Sequence, residues 1–298
     1  MRIDAHLHFW KPACGFDNRP IADNAAYRRD FMPDDVLPDL DACGIDGAIL
    51  VQTAPQTAET DWLIDLASTE RRVWGVTAWV DLAGGSCDYA ALLERPIVVG
   101  IRAQLRRIAD DAFVTRPTVV ANLRAALRAG LNVTILAEAR HYRNVGEALS
   151  RLPPGPVTIN HLALPFPAVE RTLWRAAMRD FAQRPETYVQ LSGLPFLFQT
   201  SWRDAAARAV LDDAMAICGP QRLMFASDYP MLLRFATYAE WVRAVEDFLT
   251  AQRLPATDID AIFSGNALRA NPRLRVPGST SSAAARQSRV AASSNTES

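Results

Sequence analysis

Short apolar, β-branched runs alternate along the chain with longer stretches whose apolar residues recur at i, i+3 and i+4. That alternation predicts repeated strand and helix units around a parallel sheet. Eight runs read as strands: Arg2 to His8, Gly47 to Gln52, Val73 to Trp79, Ile97 to Arg102, Asn132 to Leu136, Val157 to Asn160, Thr187 to Leu191 and Arg222 to Ala226. Helical spacing marks Pro33 to Cys43, Thr57 to Ser68, Pro117 to Ala129, Ala168 to Arg184 and Arg203 to Cys218, each with one apolar face to lay on the sheet. Gly130, Pro153-Pro154-Gly155 and Gly219-Pro220 fall between these elements, where they stop a helix before the next strand. Count and order favour a closed (β/α)8 TIM barrel. The competing doubly wound open sheet would carry a G-x-G-x-x-G turn, and none follows any strand candidate.

At 298 residues the length alone would allow two domains, but barrels of about 250 residues commonly form one. We therefore expect a single barrel domain over residues 1–276. Beyond the helical turn Asn266 to Arg269 the composition shifts to Gly, Ser, Thr, Ala and Asn. Too little apolar surface remains there to offset the entropy of ordering, so a disordered tail is expected over residues 277–298.

Charge and cysteine content narrow the class further. With 32 Lys plus Arg against 33 Asp plus Glu, nothing advertises a nucleic acid or an anionic membrane as partner, and a small molecule fits better. No run of about 18 apolar residues could span a membrane. A charge at Asp4 stands where a signal peptide's apolar region would begin, so a chain folding from its first residues in the cytoplasm is expected. The four cysteines lie far apart without a C-x-x-C pair, which points to reduced thiols. A homo-oligomer is left open.

The chain has four histidines, and two of them sit in Ile3-Asp4-Ala5-His6-Leu7-His8 at the end of the first strand. Residues i and i+2 of a strand share a face, so His6 and His8 are expected to project together, with Asp4 one step behind on the same face. Alone, H-x-H is a loose pattern that two unrelated histidines could supply. His161 and Asp228, however, follow the sixth and eighth strands. Strand C-termini are where barrels build their sites.

Three segments carry a resemblance: Ile3-Asp4-Ala5-His6-Leu7-His8-Phe9-Trp10, Asn160-His161-Leu162-Ala163-Leu164-Pro165 and Phe225-Ala226-Ser227-Asp228-Tyr229-Pro230. With Val99-Gly100-Ile101-Arg102, Leu191-Ser192-Gly193-Leu194 and Gly265-Asn266-Ala267, they resemble the amidohydrolase superfamily over roughly residues 1–275. The branch most similar contains fuconolactonase-like, sulfomuconolactone and pyrone dicarboxylate lactone hydrolases. This resemblance implies hydrolysis of a small lactone, sugar- or muconate-derived, with Asp228 as general base and His161 beside it. It implies either one divalent ion, zinc or manganese, drawn from His6, His8, His161 and Asp228, or a metal-independent site whose histidines polarise the lactone carbonyl. Both would stabilise the charge that develops on the carbonyl oxygen.

Arg102 matches the arginine that related lactonases carry after the fourth strand and is assigned to substrate binding. Arg106 and Arg107 in the following loop, with Tyr229 and Phe9, join it as candidate substrate contacts, and Trp10 and Phe196 could also wall a small ring. Three departures from the family pattern are Asn160 for the usual aspartate, Leu164 for a cation and Tyr229 for tryptophan. The missing cation, with Leu136 in place of a tyrosine, argues against a pyrone dicarboxylate. No bridging lysine ends the fifth strand, where only Glu138 is near, so two metal ions are not expected. His141 reads as a surface histidine at a helix start. Two other functions stay open: decarboxylation or amide hydrolysis at the same site, and a non-catalytic binding barrel.

Overall fold

The computed structural model describes residues 1–16, 25–87 and 89–278, and the tail expected to be disordered lies, from residue 279, outside the described residues. Eight parallel strands follow one another round a single sheet: β1 (Ile3–Leu7), β2 (Gly47–Val51), β3 (Val73–Ala78), β4 (Val98–Gln104), β5 (Asn132–Leu136), β6 (Val157–Ile159), β7 (Thr187–Leu191) and β8 (Leu223–Phe225). The ring closes just past β8, where Asp228 N donates to the His6 carbonyl at 2.9 Å and His8 N to the Tyr229 carbonyl at 2.7 Å. The expected (β/α)8 barrel is the fold. Its strand and helix positions match the sequence reading to within a few residues.

Apolar side chains on the outer face of the strands, such as Val76, Ile101, Val133, Ile159, Leu191 and Phe225, form one continuous core with the surrounding helices. Each such fully buried side chain contributes roughly 1.5–3 kcal/mol. A second, smaller cluster joins Ile3, Ala5, Trp74, Tyr188, Met224 and Ala226 from different strands, which can meet only inside the barrel. Ala267, Ala270 and Leu274 close it from the C-terminal segment, so the lumen is plugged at that end and a site can open only at the other.

Two tryptophans tie the outer helices to the loops above the barrel. Trp174, in the helix Arg171–Phe181, donates its indole N–H to the Leu162 carbonyl at 2.7 Å. Trp241, in the helix Tyr238–Ala251, donates to the Ala226 carbonyl at 2.8 Å.

Strand β1 departs from the expected alternation. Its pairing with β2 advances from Asp4↔Ala48 to Leu7↔Leu50, three residues against two, so a bulge interrupts the two-residue period. Asp4 consequently does not share the histidine face. Its carboxylate accepts from Ser227 N at 2.9 Å, His6 N at 3.1 Å and Tyr238 Oη at 2.9 Å, on the side of the helix Tyr238–Ala251. Burial raises its pKa to about 6 against those three donors.

Candidate active site

The bulge turns His6 and His8 together at the open end of the barrel. Their Nε2 atoms lie 3.1 Å apart, and both rings are buried. Asp228 Oδ1 stands 3.4 Å from His8 Nε2, 3.6 Å from His161 Nε2 and 3.9 Å from His6 Nε2. The four residues of the metal and catalytic expectation therefore share one focus. Donor atoms of His6, His161 and Asp228 all lie within 4.8 Å of one another, and His8 extends the set.

Backbone conformation at two of these residues is unusual. Asp228 has φ 59°, and His161 to Leu164 run through four consecutive left-handed residues without a glycine. Such residues cost roughly 1–2 kcal/mol each and persist only where the surroundings hold them, commonly at functional sites. Here Tyr142 Oη donates to the Ala163 carbonyl at 2.7 Å, beside the Trp174 bond to Leu162. Gly193 supplies the space, because a Cβ on it would stand 2.8 Å from the His161 Cβ.

Electrostatics set the protonation states. Burial pushes His161 down to about 4, with the Asp228 charge opposing it, and burial also holds His6 well below the ordinary imidazole value. For Asp228, burial acts to raise the pKa, but the charges and hydrogen bonding of His161, His8 and Arg102 outweigh it and hold the carboxyl below its usual range. At neutral pH an ionised carboxylate thus faces the neutral imidazoles of His6 and His161. Arg102 is lowered by burial to about 10 and stays charged.

The imidazole tautomers bear on a metal ion. His8 Nδ1 lies 2.6 Å from the Val51 carbonyl, which can only accept, so Nδ1 carries a proton, and in the neutral ring Nε2 is then a bare lone pair. That lone pair points at His6 Nε2 and the Asp228 carboxylate. A focus of electron-rich donors with little to share between them is what one divalent cation fits. At the end of β5, Glu138 is engaged by Arg140 at 2.8 Å and Arg106 at 3.5 Å and offers no bridge to a second ion.

The remaining candidates divide. Arg102 reaches into the site, donating to the Gln52 carbonyl at 2.8 Å and to Asn160 Oδ1 at 3.3 Å. Arg106 and Arg107 form the turn directly above it, with the Arg106 guanidinium over the Phe166 ring. The Tyr229 ring instead packs between Phe31 and Tyr238, and Phe9 is 2 % exposed in the main core, so neither side chain is brought to the histidine cluster by a described contact, although the Tyr229 carbonyl accepts from His8 N. His141 is buried rather than on the surface, its Nδ1 accepting from Glu138 N at 3.1 Å.

Sequence reasoning missed four polar residues. Gln190 Oε1 lies 3.0 Å from His6 Nδ1, and Ser192 Oγ 2.8 Å from His161 Nδ1. Glu59 binds Thr53 N at 2.8 Å and Ala54 N at 2.6 Å, fixing the loop after β2 close to His8. Gln104 follows Arg102 by two residues in the same strand, hence on the same face but nearer the mouth, and its Oε1 is buried without a partner. Alternation at the C-terminal ends of β7 and β4 was the signal that could have found Gln190, Ser192 and Gln104.

A plugged barrel with a His/Asp cluster at its open end defines a hydrolase of the amidohydrolase type. The amidohydrolase family model matches residues 3–270, and the chain belongs to that family. It is 32% identical over 280 residues to an L-fucono-1,5-lactonase of Burkholderia ambifaria, covering 89% of this chain and 93% of that one. An amidohydrolase of Burkholderia multivorans solved with bound HEPES superposes with a TM-score of 0.80 at 30% identity, covering 91% of this chain and 98% of that one. A second crystal form of it, with bound zinc, aligns with the same TM-score and coverage at 29% identity.

Proposed function

We propose that this protein is a lactone hydrolase that opens a small, hydroxylated sugar-acid lactone to its hydroxy acid. The observation that carries the reading is the Asp228 carboxylate, held ionised within 3.4–3.9 Å of three imidazoles at the open end of the barrel. Likeness to a fuconolactonase across nine-tenths of the chain supports it.

Asp228 accepts a proton from water as the water oxygen attacks the lactone carbonyl carbon. When the ring C–O bond breaks, the same carboxyl returns that proton to the leaving alkoxide. Arg102, buried and charged, faces the oxygen on which negative charge develops. His6, His8, His161 and Asp228 would hold one divalent ion, and the ion would supply Lewis-acid polarisation and an acidified water. Imidazole ligands suit zinc, and zinc is the ion in the related amidohydrolase. A neutral His8, with its one proton on Nδ1 toward Val51, has none on Nε2 to donate to a carbonyl oxygen, which favours this route over direct polarisation.

Pocket chemistry favours a neutral polyhydroxylated ring over a dicarboxylate. Arg106 is engaged with Glu138, and the orphaned Gln104 oxygen is an acceptor suited to a substrate hydroxyl. Four unpaired cysteines suit the reducing cytoplasm as the place of action. A pH-indicator screen of aldonolactones, muconolactones and pyrones, with and without zinc or manganese, tests the reading. Proton release with an aldonolactone is expected; carbon dioxide from an aromatic acid, with no lactone opened, would instead make the site a decarboxylase.

A further inference from the structure

Beneath the histidine pair runs a chain of side-chain amides whose direction is fixed at both ends. Arg102 can only donate and the Ala5 carbonyl can only accept. Arg102 Nε donates to Asn160 Oδ1 at 3.3 Å, Asn160 Nδ2 to Gln190 Oε1 at 2.6 Å, and Gln190 Nε2 to the Ala5 carbonyl at 3.1 Å. All three side chains are buried. Turning the Gln190 amide over would set its oxygen against the Ala5 oxygen, and turning Asn160 over would set its NH2 against Arg102.

Gln190 therefore presents an oxygen to His6 Nδ1 at 3.0 Å. A proton on Nδ1 makes that contact a hydrogen bond, whereas a bare Nδ1 would oppose two lone pairs. The rival tautomer has its own support: Asn160 Nδ2 lies 3.2 Å from His6 Nδ1, and a proton on His6 Nε2 could bond His8 Nε2. The shorter contact, to an atom that cannot donate, decides between them.

We infer that Gln190, oriented by Arg102 through Asn160, is a positioning residue that fixes His6 with its proton on Nδ1. His6 and a neutral His8 then turn two bare Nε2 atoms toward one point, an arrangement that serves a cation. This rests on the single-ion reading for its consequence, but not for the tautomer itself. Asn160 is the residue this chain of bonds needs: a carboxylate in its place would have no N–H to give Gln190, and the direction of the chain would be lost.

Long-range 1H–15N spectra of the metal-free full chain, with 15N-labelled histidine and His6 assigned by its loss in His6→Ala, report the tautomer directly. The expected result is a protonated Nδ1 and a bare Nε2 on His6. Gln190→Leu should lose that signature and bind zinc about 10- to 100-fold more weakly in chelator competition, the range for outer partners of a metal ligand. Gln190→Glu, which keeps an oxygen acceptor, should retain the tautomer. A proton on His6 Nε2 in the parent protein, or unchanged zinc affinity in a folded Gln190→Leu, would overturn the inference. Should Gln190→Leu fail to fold, the parent and Gln190→Glu spectra decide it. Should the parent bind no zinc, the ion is refuted and the spectra still decide the tautomer.

Discussion

Replacing Asp228 by asparagine removes a proton acceptor and little else. The residue sits at φ 59°, a region that asparagine enters more readily than other non-glycine residues, so the turn after β8 keeps its shape. Its backbone N–H still reaches the His6 carbonyl at 2.9 Å, and that bond helps close the barrel. Activity should respond very differently. A positioned general base contributes on the order of 10^2- to 10^4-fold, which at about 1.36 kcal/mol per tenfold is about 3–5 kcal/mol of transition-state stabilisation.

Asp228→Ala serves as the control. It loses the same base and in addition leaves alanine in a left-handed conformation at about 1 kcal/mol, a few degrees in melting temperature for a domain of this size. Indicator-based turnover of an aldonolactone, beside thermal unfolding of both variants, separates the two effects. Asparagine should hold the melting temperature closer to the parent value than alanine does, while kcat/KM falls at least ~10^2-fold. A folded Asp228→Asn with more than about a tenth of parent kcat/KM would refute the role, because no other described carboxylate lies in the cluster.

Gly193→Ala should lower both stability and kcat, since the new Cβ would stand 2.8 Å from that of His161 at a φ of 81°; unchanged turnover would mean that the His161 loop yields. The pH profile of kcat/KM should be flat between about pH 5 and 8, because Asp228 is active when ionised and its pKa is held down, while His6 and His161 lie below the ordinary imidazole range. An acid limb centred near ~6.5 would show an imidazole titrating instead. Truncation after Val276 should leave melting temperature and activity unchanged, since Leu274 and Val276 already pack on the barrel-floor cluster and the sequence beyond them is poor in large apolar residues; a clear drop would refute the single-barrel boundary.

How much of this was legible in the sequence depended on whether a feature is local. Strands β1 to β8 could be read because each needs an apolar, β-branched outer face, and the site could be read because His6, His8, His161 and Asp228 are few, chemically distinctive and all at strand ends. The bulge in β1 could not, because it exists only in the pairing with β2, and it moved Asp4 to the opposite face. Nor could the left-handed run from His161 to Leu164, whose residues have no preference for that conformation. Tyr229 and Phe9 were placed by neighbourhood in sequence, yet their burial follows Phe31, Tyr238 and the core. Gln190 and Gln104 escaped notice because neutral amides draw attention only once their partners, or the lack of them, are known.

The strained residues and the tryptophans belong to one design. His161 and Asp228 both adopt left-handed backbone conformations, and each lies next to a carbonyl-bearing loop gripped by an indole N–H from an outer helix. A carbonyl deprived of such a buried bond would cost roughly 1–3 kcal/mol, comparable to the strain of one left-handed residue. The helix ring therefore does more than cover the barrel's apolar outside. By anchoring Trp174 and Trp241 in the core, it converts hydrophobic burial, which is non-directional, into fixed positions for a base and an imidazole whose own backbone preferences would turn them elsewhere.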